Sequence, residues 1–425
     1  MSILDDKNFI RGEGIAVKRA ACILLVLALL LTGASFCCAA QTQTDFSDRS
    51  SIRNSGAVQM LVDLGLISGY TDGSFRPGAY ITREEVAKLI AILCTENPVA
   101  EVVTVFADCQ DSWAKDYISY CAWRGIVVGD GVNFRPKDNV TAQELAKMLL
   151  VVLGEDAERY KGASWADNVN TDAQTRGIYD NLNAEVSAAV TRDNACLLVF
   201  NAMRCFAVAD PHSDDPMQRY VLDDLMNPRT YLEVRYQLIR YNGTLTGNEC
   251  ADLTGNGKLE PGQTRLAGHK PFAVSTDLSM VGRSVDIYMK DGMTVGAPCC
   301  AAAEIYYTFS SADELAQICS GGAFALTEQT EYYLNYERVS AEVLDDLPPQ
   351  AQITVIDHTG DLQFDIVLVT TLEAASVSSV SPLRVRVGEQ EQEVRSFSAN
   401  DRFSVGQSVC LVQVRDVSYI RPLQK

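Results

Sequence analysis

Arg83 and Arg192 each follow a threonine, Thr82 and Thr191, at the start of an apolar run with helical spacing. The first N–H groups and the dipole of a helix attract anions before any side chain is added. An arginine in that first turn adds a charge-assisted, bidentate partner for a carboxylate. A third threonine, Thr141, is followed by Ala142, so one of three such starts lacks the cation. The alternative reading is that both arginines only bridge neighbouring helices.

Other chemistry is sparser. Asp252, Thr254, Asn256 and Glu260 alternate around a glycine, as oxygen ligands do in a calcium loop, but Gln263 stands where the closing bidentate glutamate belongs. Asp357, Thr359, Asp361 and Asp365 also alternate, without that glycine. Asp252, Asn256, Asp357 and Asp361 are therefore calcium candidates, and a plain β-hairpin turn explains Thr254 to Gly257 equally well. No Gly-x-Ser-x-Gly or Cys-x-x-Cys occurs, and His212, His269 and His358 stand far apart, so neither a catalytic triad nor a zinc site is marked. No cofactor motif is present, and no pair of carboxylates is singled out for glycoside hydrolysis.

The elements that must position these residues form a repeat. Phe46-Ser47-Asp48 recurs as Phe106-Ala107-Asp108, and each phenylalanine is followed 19 residues later by a glycine, Gly65 or Gly125. Phe75-Arg76-Pro77 recurs as Phe134-Arg135-Pro136, with Thr82 or Thr141 five residues past the proline. Ala114, Tyr117, Ile118 and Cys121 share one helical face, as do Asn54, Ala57, Val58 and Leu61 in the first copy. The glycines end that helix. Asp48 and Asp108 are expected to cap it.

Thr82 with Glu85, and Thr141 with Glu144, predict capping boxes opening a second helix. Its stripe is Val86, Leu89, Ile90 and Leu93 in copy one and Leu145, Met148, Leu149 and Val152 in copy two. Ala195, Leu198, Val199 and Ala202 make a third, behind Thr191 and Arg192, with Asn194 in place of the glutamate. In this third copy Trp165-Ala166-Asp167 takes the place of Phe-x-Asp, only 12 residues before Gly177. A shortened first helix is expected there.

Phe-x-Asp, an apolar helix, the Gly69-Tyr70-Thr71-Asp72-Gly73 loop with Phe75 and Pro77, and Ile81-Thr82-Arg83 with Glu85 together resemble S-layer homology (SLH) domains over about residues 46 to 207. The resemblance implies an all-helical, pseudo-threefold bundle that binds secondary cell-wall polysaccharide, often through a pyruvylated terminal sugar. A pyruvyl ketal carries a carboxylate, which assigns ligand roles to Arg83, Arg192, Thr82, Thr191, Gly69 and Tyr70. Trp113, aligned with Arg53 of the first copy, offers one aromatic face for stacking on a sugar. Ala142 departs from the family's arginine and leaves its groove weak or empty.

A formal charge of −19 repels phosphate backbones and excludes nucleic acid as a partner. An apolar run, Ala20 to Leu31, follows Lys18 and Arg19 and leads to Cys38-Ala39-Ala40, the layout of a secretory signal peptide. It is short for a membrane span of about 20 residues, so no transmembrane segment is expected after cleavage. A lipoprotein anchor at Cys37 or Cys38 lacks the usual small-residue lead, and Asp5, Asp6 and Glu13 suit a true start near Val17. Ten cysteines lie beyond Ala40, scattered; disulfides are allowed outside the cell, and buried thiols are the plainer reading.

The expected architecture is multidomain: signal peptide 1–40, SLH repeats at 46–100, 104–160 and 163–210 (the last degenerate), then a mainly-β region 215–425 of one or two antiparallel domains. Pro211 to Pro216 reads as a linker, followed by a short helix around Val221 to Met226. Strands are expected at Ser284–Met289, Glu304–Phe309, Gln352–Ile356, Phe364–Thr370, Leu383–Val387 and Ser408–Val414, with helices at Ala312–Ile318 and Ala341–Leu347. The function implied is non-covalent anchoring to a bacterial cell wall or S-layer, displaying the β-region as a structural or interaction module. A wall-anchored enzyme, such as a polysaccharide hydrolase, is the alternative. Residues 46 to 210 are expected to fold alone, and Arg83→Ala to weaken wall binding without disturbing the fold. N-terminal sequencing of the surface form should read from Gln41; an intact Lys18 to Ala40 segment would refute cleavage.

Overall fold

A computed structural model describes residues 46–96, 106–301, 304–322 and 324–423. The expected signal peptide, its cysteines and the Gln41 start lie outside these residues. No helix among the described residues is long and apolar enough to cross a membrane.

The N-terminal part is built of three helix pairs: α1 (Ser55–Asp63) with α2 (Arg83–Cys94), α3 (Lys115–Trp123) with α4 (Ala142–Val152), and α5 (Trp165–Thr175) with α6 (Arg192–Arg204). Each first helix stops at a glycine in the left-handed region, Gly65, Gly125 or Gly177. Each second helix opens on a threonine cap: Thr82 and Thr141 in full capping boxes, Thr191 accepting from the Asn194 N–H alone. The predicted stripes on α2, α4 and α6 are buried, save Val152, which is half-buried against the same core.

The third pair corrects the sequence reading. α5 has 11 residues against nine in α1 and in α3, so it is not shortened. Trp165 is its first residue and matches Trp113, since both stand 12 residues before the terminating glycine. The front of this pair is instead the 3-10 turn Ala157–Tyr160, whose Tyr160 is fully buried and donates to Asp172.

Asp48 and Asp108 do not cap the following helices. The Asp48 carboxylate accepts from the N–H groups of Phe75 and Arg76, both at 2.8 Å, and Asp108 does the same for Phe134 and Arg135 at 2.9 and 2.7 Å. Arg76 and Arg135 adopt positive φ, 57° and 61°, a strained conformation for a side-chain-bearing residue that these paired bonds hold in place. Phe46 packs on Phe75 and Phe106 on Phe134. A side chain at Gly69 or Gly129 would run into Phe46 or Phe106, which is why each loop carries glycine there.

The pairs are joined in a cycle at the strand-like residues before each cap. Ile81 N–H donates to Val190 O, Val190 N–H to Val140 O, and Val140 N–H to Ile81 O, at 3.2, 2.8 and 3.1 Å.

Beyond α6 the chain turns back on the bundle rather than leaving it. Phe206 bridges Thr230 and Val208 bridges Tyr220, while Arg176 and Arg219 both pair with the buried Glu155. A single helical turn, α7 (Pro216–Arg219), replaces the helix expected at Val221 to Met226. Asp223 accepts from the N–H groups of Leu225 and Asn227 and so bends that segment into a turn. Helix α8 (Tyr231–Tyr236), boxed by Thr230 and Glu233, donates from Tyr231 and Arg235 to the carbonyl of Leu93 at the end of α2.

Three sheets follow. The first has the order β2-β1-β3-β4, from Thr264–Leu266, Ile239–Asn248, Ser284–Lys290 and Met293–Cys300. The second runs β5-β8-β9-β6-β7, from Ile305–Phe309, Ala351–Asp357, Gln363–Thr371, Ala325–Leu334 and Glu337–Val339. The third holds β10 to β15 between Glu373 and Pro422. All six predicted strands are present to within two residues. The pairings β6 with β9 and β13 (Arg395–Ser396) with β15 (Val417–Pro422) are parallel, a departure from a wholly antiparallel region. Helix α9 (Ala312–Ser320) stands as expected, whereas Ala341–Leu347 reduces to a 3-10 turn ending at Leu344, four residues before Pro348.

The helical core does not stop at the expected boundary. Leu232, Leu238 and Tyr288 belong to it, with Val295 and Cys299 packed at its margin. Helix α1 lies on β4: Gly296 sits against Met60, where a Cβ would clash, and its N–H donates to Asp63 at 3.0 Å. Arg204 binds Asp286 and the Cys300 carbonyl, and Arg402 reaches the carbonyls of Ser50 and Ile52.

A fragment cut at 210 therefore exposes part of its own core, since Leu232, Leu238 and Tyr288 are 0%, 3% and 1% exposed. At about 1.5 to 3 kcal/mol for each large apolar side chain, the loss is several kcal/mol. Fragment 46–210 should melt about 10 °C or more below 46–301, at roughly 2 to 4 °C per kcal/mol for a chain of this size. Equal melting temperatures by circular dichroism would show that the bundle is self-sufficient.

Candidate functional site

The first-turn N–H groups that were expected to bind an anion are already occupied. Arg83 and Glu84 donate to the carbonyls of Asp138 and Pro136, Ala142 and Gln143 to those of Ala188 and Val186, and Arg192 and Asp193 to those of Ala79 and Pro77. The third N–H of each helix goes to its threonine Oγ1. Thr82 and Thr191 are thus caps, and the first three N–H groups of each helix are taken by the protein itself. The physical reason lies in the bundle: each helix start is pressed against the next pair's loop.

The arginines are buried cross-links. Arg83, 5% exposed, donates from Nε to Phe134 O at 2.8 Å and from Nη2 to Val128 O at 3.1 Å. Arg192, 6% exposed, does the same to Phe75 O and Ser68 O at 3.1 and 3.2 Å. Each therefore holds the glycine loop of a neighbouring pair. Nη1, 3.6 Å from Glu144 in the first case and 3.8 Å from Glu85 in the second, is the edge not held by a carbonyl. Removing Arg83 takes a donor from the Phe134 and Val128 carbonyls, so Arg83→Ala is now expected to weaken the fold as well as the cleft.

Two equivalent clefts open beside these arginines. One, about 200 Å³, is lined by Gly69, Tyr70, Glu85, Lys88, Trp113 and Arg192. The other, about 340 Å³, is lined by Gly129, Asp130, Glu144, Lys147, Trp165 and Arg83 among others. Corresponding residues stand at corresponding places: a glycine loop, a glutamate three and a lysine six residues past the capping threonine, a tryptophan from the next pair, and the arginine. The lysine lies over the tryptophan ring in both, at 5.9 Å for Lys88 on Trp113 and 5.5 Å for Lys147 on Trp165. Trp113 is 54% exposed and is held by its Nε1, which donates to Glu84 at 2.7 Å. Burial opposes ionisation of Glu84, but Lys137, Ser112 and Trp113 bond to it and together hold its carboxyl below the usual range.

Sequence reading brought Arg83, Arg192, Gly69, Tyr70 and Trp113 to these clefts and missed Lys88, Lys147 and Trp165. Counting back from Gly125 and Gly177 would have found the second tryptophan, and counting forward from Thr82 and Thr141 the lysines. The tryptophan expected once, at Trp113, thus has a counterpart at Trp165. At the third junction every position has changed: Ala142 for the arginine, Asn194 for the glutamate, Leu197 for the lysine and Arg53 for the tryptophan. Asn201 secures that loop instead, donating to the carbonyls of Ile178 and Asp180.

The calcium candidates are occupied by the protein's own donors. Asp252 pairs with Arg265 and accepts from Thr254 and Gly257, and Asn256 donates its amide to Thr254. Asp357 accepts from the N–H groups of Thr359, Gly360 and Leu362, and Asp361 from that of Gln363. These are turns, and among the described residues no three His, Cys, Asp or Glu side chains are gathered as a metal would need. The ten cysteines from Cys94 to Cys410 are free thiols; burial pushes that of Cys196 up to about 12. In the β-region a cavity of about 10 Å³ lies among Tyr306, Tyr336, Phe397 and Arg421, enough for a single water.

Comparison with known proteins agrees with the helical geometry. The family model of the S-layer homology domain matches residues 45–87 and 105–146. S-layer protein EA1 of Bacillus anthracis is 28% identical over 52% of this chain and 25% of its own length. The middle cell wall protein of Brevibacillus brevis is 23% identical over 65% of this chain and 28% of its own. Exoglucanase XynX of Acetivibrio thermocellus is 26% identical over 41% and 18%. The chain thus spans about a quarter or less of these relatives' length. With two matched repeats at the first two helix pairs and relatives among surface-layer and cell-wall proteins, the chain is an SLH domain-containing bacterial surface protein.

Proposed function

We propose that the helical bundle anchors the protein by binding an anionic secondary cell-wall polysaccharide in the two clefts, while the β-region is displayed as a structural or interaction module. One observation carries this reading: arginine, lysine, glutamate and tryptophan recur over a glycine loop in two clefts and are all replaced at the third junction. An indole face suits the apolar face of a sugar ring, and a lysine beside a partly free guanidinium edge suits a carboxylate. The SLH match supports a pyruvylated terminal sugar as the group bound. The cyclic bonds of Ile81, Val140 and Val190 support treating the three pairs as a pseudo-threefold unit, with a degenerate third repeat that begins near Asp156. Surface-layer and cell-wall names among the relatives favour a structural role over catalysis for the rest of the chain.

The test is sedimentation with purified cell walls. Trp113→Ala and Trp165→Ala should each weaken binding, and Lys88→Gln with Lys147→Gln should cost about 1.5 to 3 kcal/mol per cleft, tenfold to a hundredfold. Arg53→Ala, at the altered third junction, should sediment as wild type. If the folded Trp113/Trp165 double variant still pellets like wild type, the clefts are not the binding sites. Arg83→Ala is a stability probe instead: loss of the buried bond to the Phe134 carbonyl should lower stability by about 1 to 3 kcal/mol, read as an earlier urea midpoint.

A further inference from the structure

The two clefts differ in charge, and the difference bears on what each can hold. Resting on the reading of both as polysaccharide sites, we propose that the Arg83 cleft receives a sugar end group carrying two negative charges, whereas the Arg192 cleft receives one.

The larger cleft is lined by four cations, Arg83, Arg135, Lys147 and Lys161, against Asp130 and Glu144. The smaller is lined by Arg192 and Lys88 against Glu85. Two positive charges in excess, against one, stand in a chain whose net charge is −19. The acids of the larger cleft are committed to its frame: Asp130 accepts from the N–H groups of Val132 and Asn133, and Glu144 serves the Thr141 capping box.

Lys147 is the telling group. It is half-buried and, among the described residues, forms no ion pair with a carboxylate. Burial and then the nearby Lys161 push its pKa down, against a smaller upward pull from Glu144, and a second anion at this point would offset both penalties. Lys161 and Arg135 have only half-exposed surface partners, Glu158 and Asp138, contacts worth little that a ligand can replace. In the smaller cleft the corresponding positions do not line the pocket. Arg76 is bonded to Asp72 and stacked on Tyr70 at 4.0 Å, and the buried Cys109 stands four residues before Trp113, where Lys161 stands before Trp165.

The experiment is calorimetric titration of the full chain at pH 7.5 with N-acetylglucosamine 6-phosphate, close to a dianion, and with N-acetylglucosamine 6-sulfate, a monoanion of the same shape. The phosphate should bind about tenfold tighter, the worth of one further charged hydrogen bond. Lys147→Gln with Lys161→Gln should remove that preference, while Lys258→Gln, the same charge change in the β-region, should keep it. Equal affinities, no binding of either sugar, or a preference that survives the double substitution would overturn the proposal. Sedimentation of the wild type with cell walls scores the anchoring role separately. A protein that pellets but shows no phosphate preference refutes this inference alone; one that neither pellets nor binds refutes both.

Discussion

The bundle depends on how the starts of its three long helices are satisfied. The N–H groups of Ile81, Val140 and Val190 and of the two residues after each capping threonine make nine backbone bonds, all to carbonyls of another helix pair. Helix starts buried without partners would cost about 1 to 3 kcal/mol per unpaired group. No pair can therefore supply its own missing acceptors, and the three must close on one another. That closure also presses each glycine loop against the next helix start, so that Arg83 and Arg192 meet loop carbonyls instead of solvent.

Cleft geometry follows from this frame. Guanidinium groups fixed by carbonyls have little freedom left to lose, the condition under which recognition of the proposed anion costs least entropy. The loop is fixed from its other side by Asp48 or Asp108, which clamp the positive-φ arginine. Opposite stands the tryptophan, with Trp113 held by Glu84. Three walls of each cleft thus come from three different parts of the chain, and in a strongly acidic protein they concentrate positive charge at two places.

The first sheet shares the helical core instead of hanging from a linker. Tyr288 on β3 and Leu238 just before β1 are buried with the helices, and Arg204, Arg402 and Asp63 tie strands and loops to the α1 and α6 side. Helices α1 and α6 pack together at the junction that has lost arginine, lysine, glutamate and tryptophan. The chain uses that side for its own contacts, and the two intact clefts lie at the other junctions.

Local sequence determined what local physics can determine. Capping boxes at Thr82 and Thr141, helix stops at Gly65 and Gly125, the apolar stripes and six strands were legible because each depends on residues a few positions apart. So was the repeat, and with it Arg83, Arg192, Gly69, Tyr70 and Trp113. Trp165 was misaligned because Tyr160 and a 3-10 turn replace the Phe-x-Asp front, which only packing reveals. The capping role expected of Asp48 failed because its partners, Phe75 and Arg76, are 27 and 28 residues away. Whether helix N–H groups face a ligand or a neighbouring carbonyl, whether Asp252 meets calcium or Arg265, and where the helical core ends are set by residues distant in sequence. Their acceptors and counter-charges exist only once the chain has closed, so the tertiary structure alone decided them.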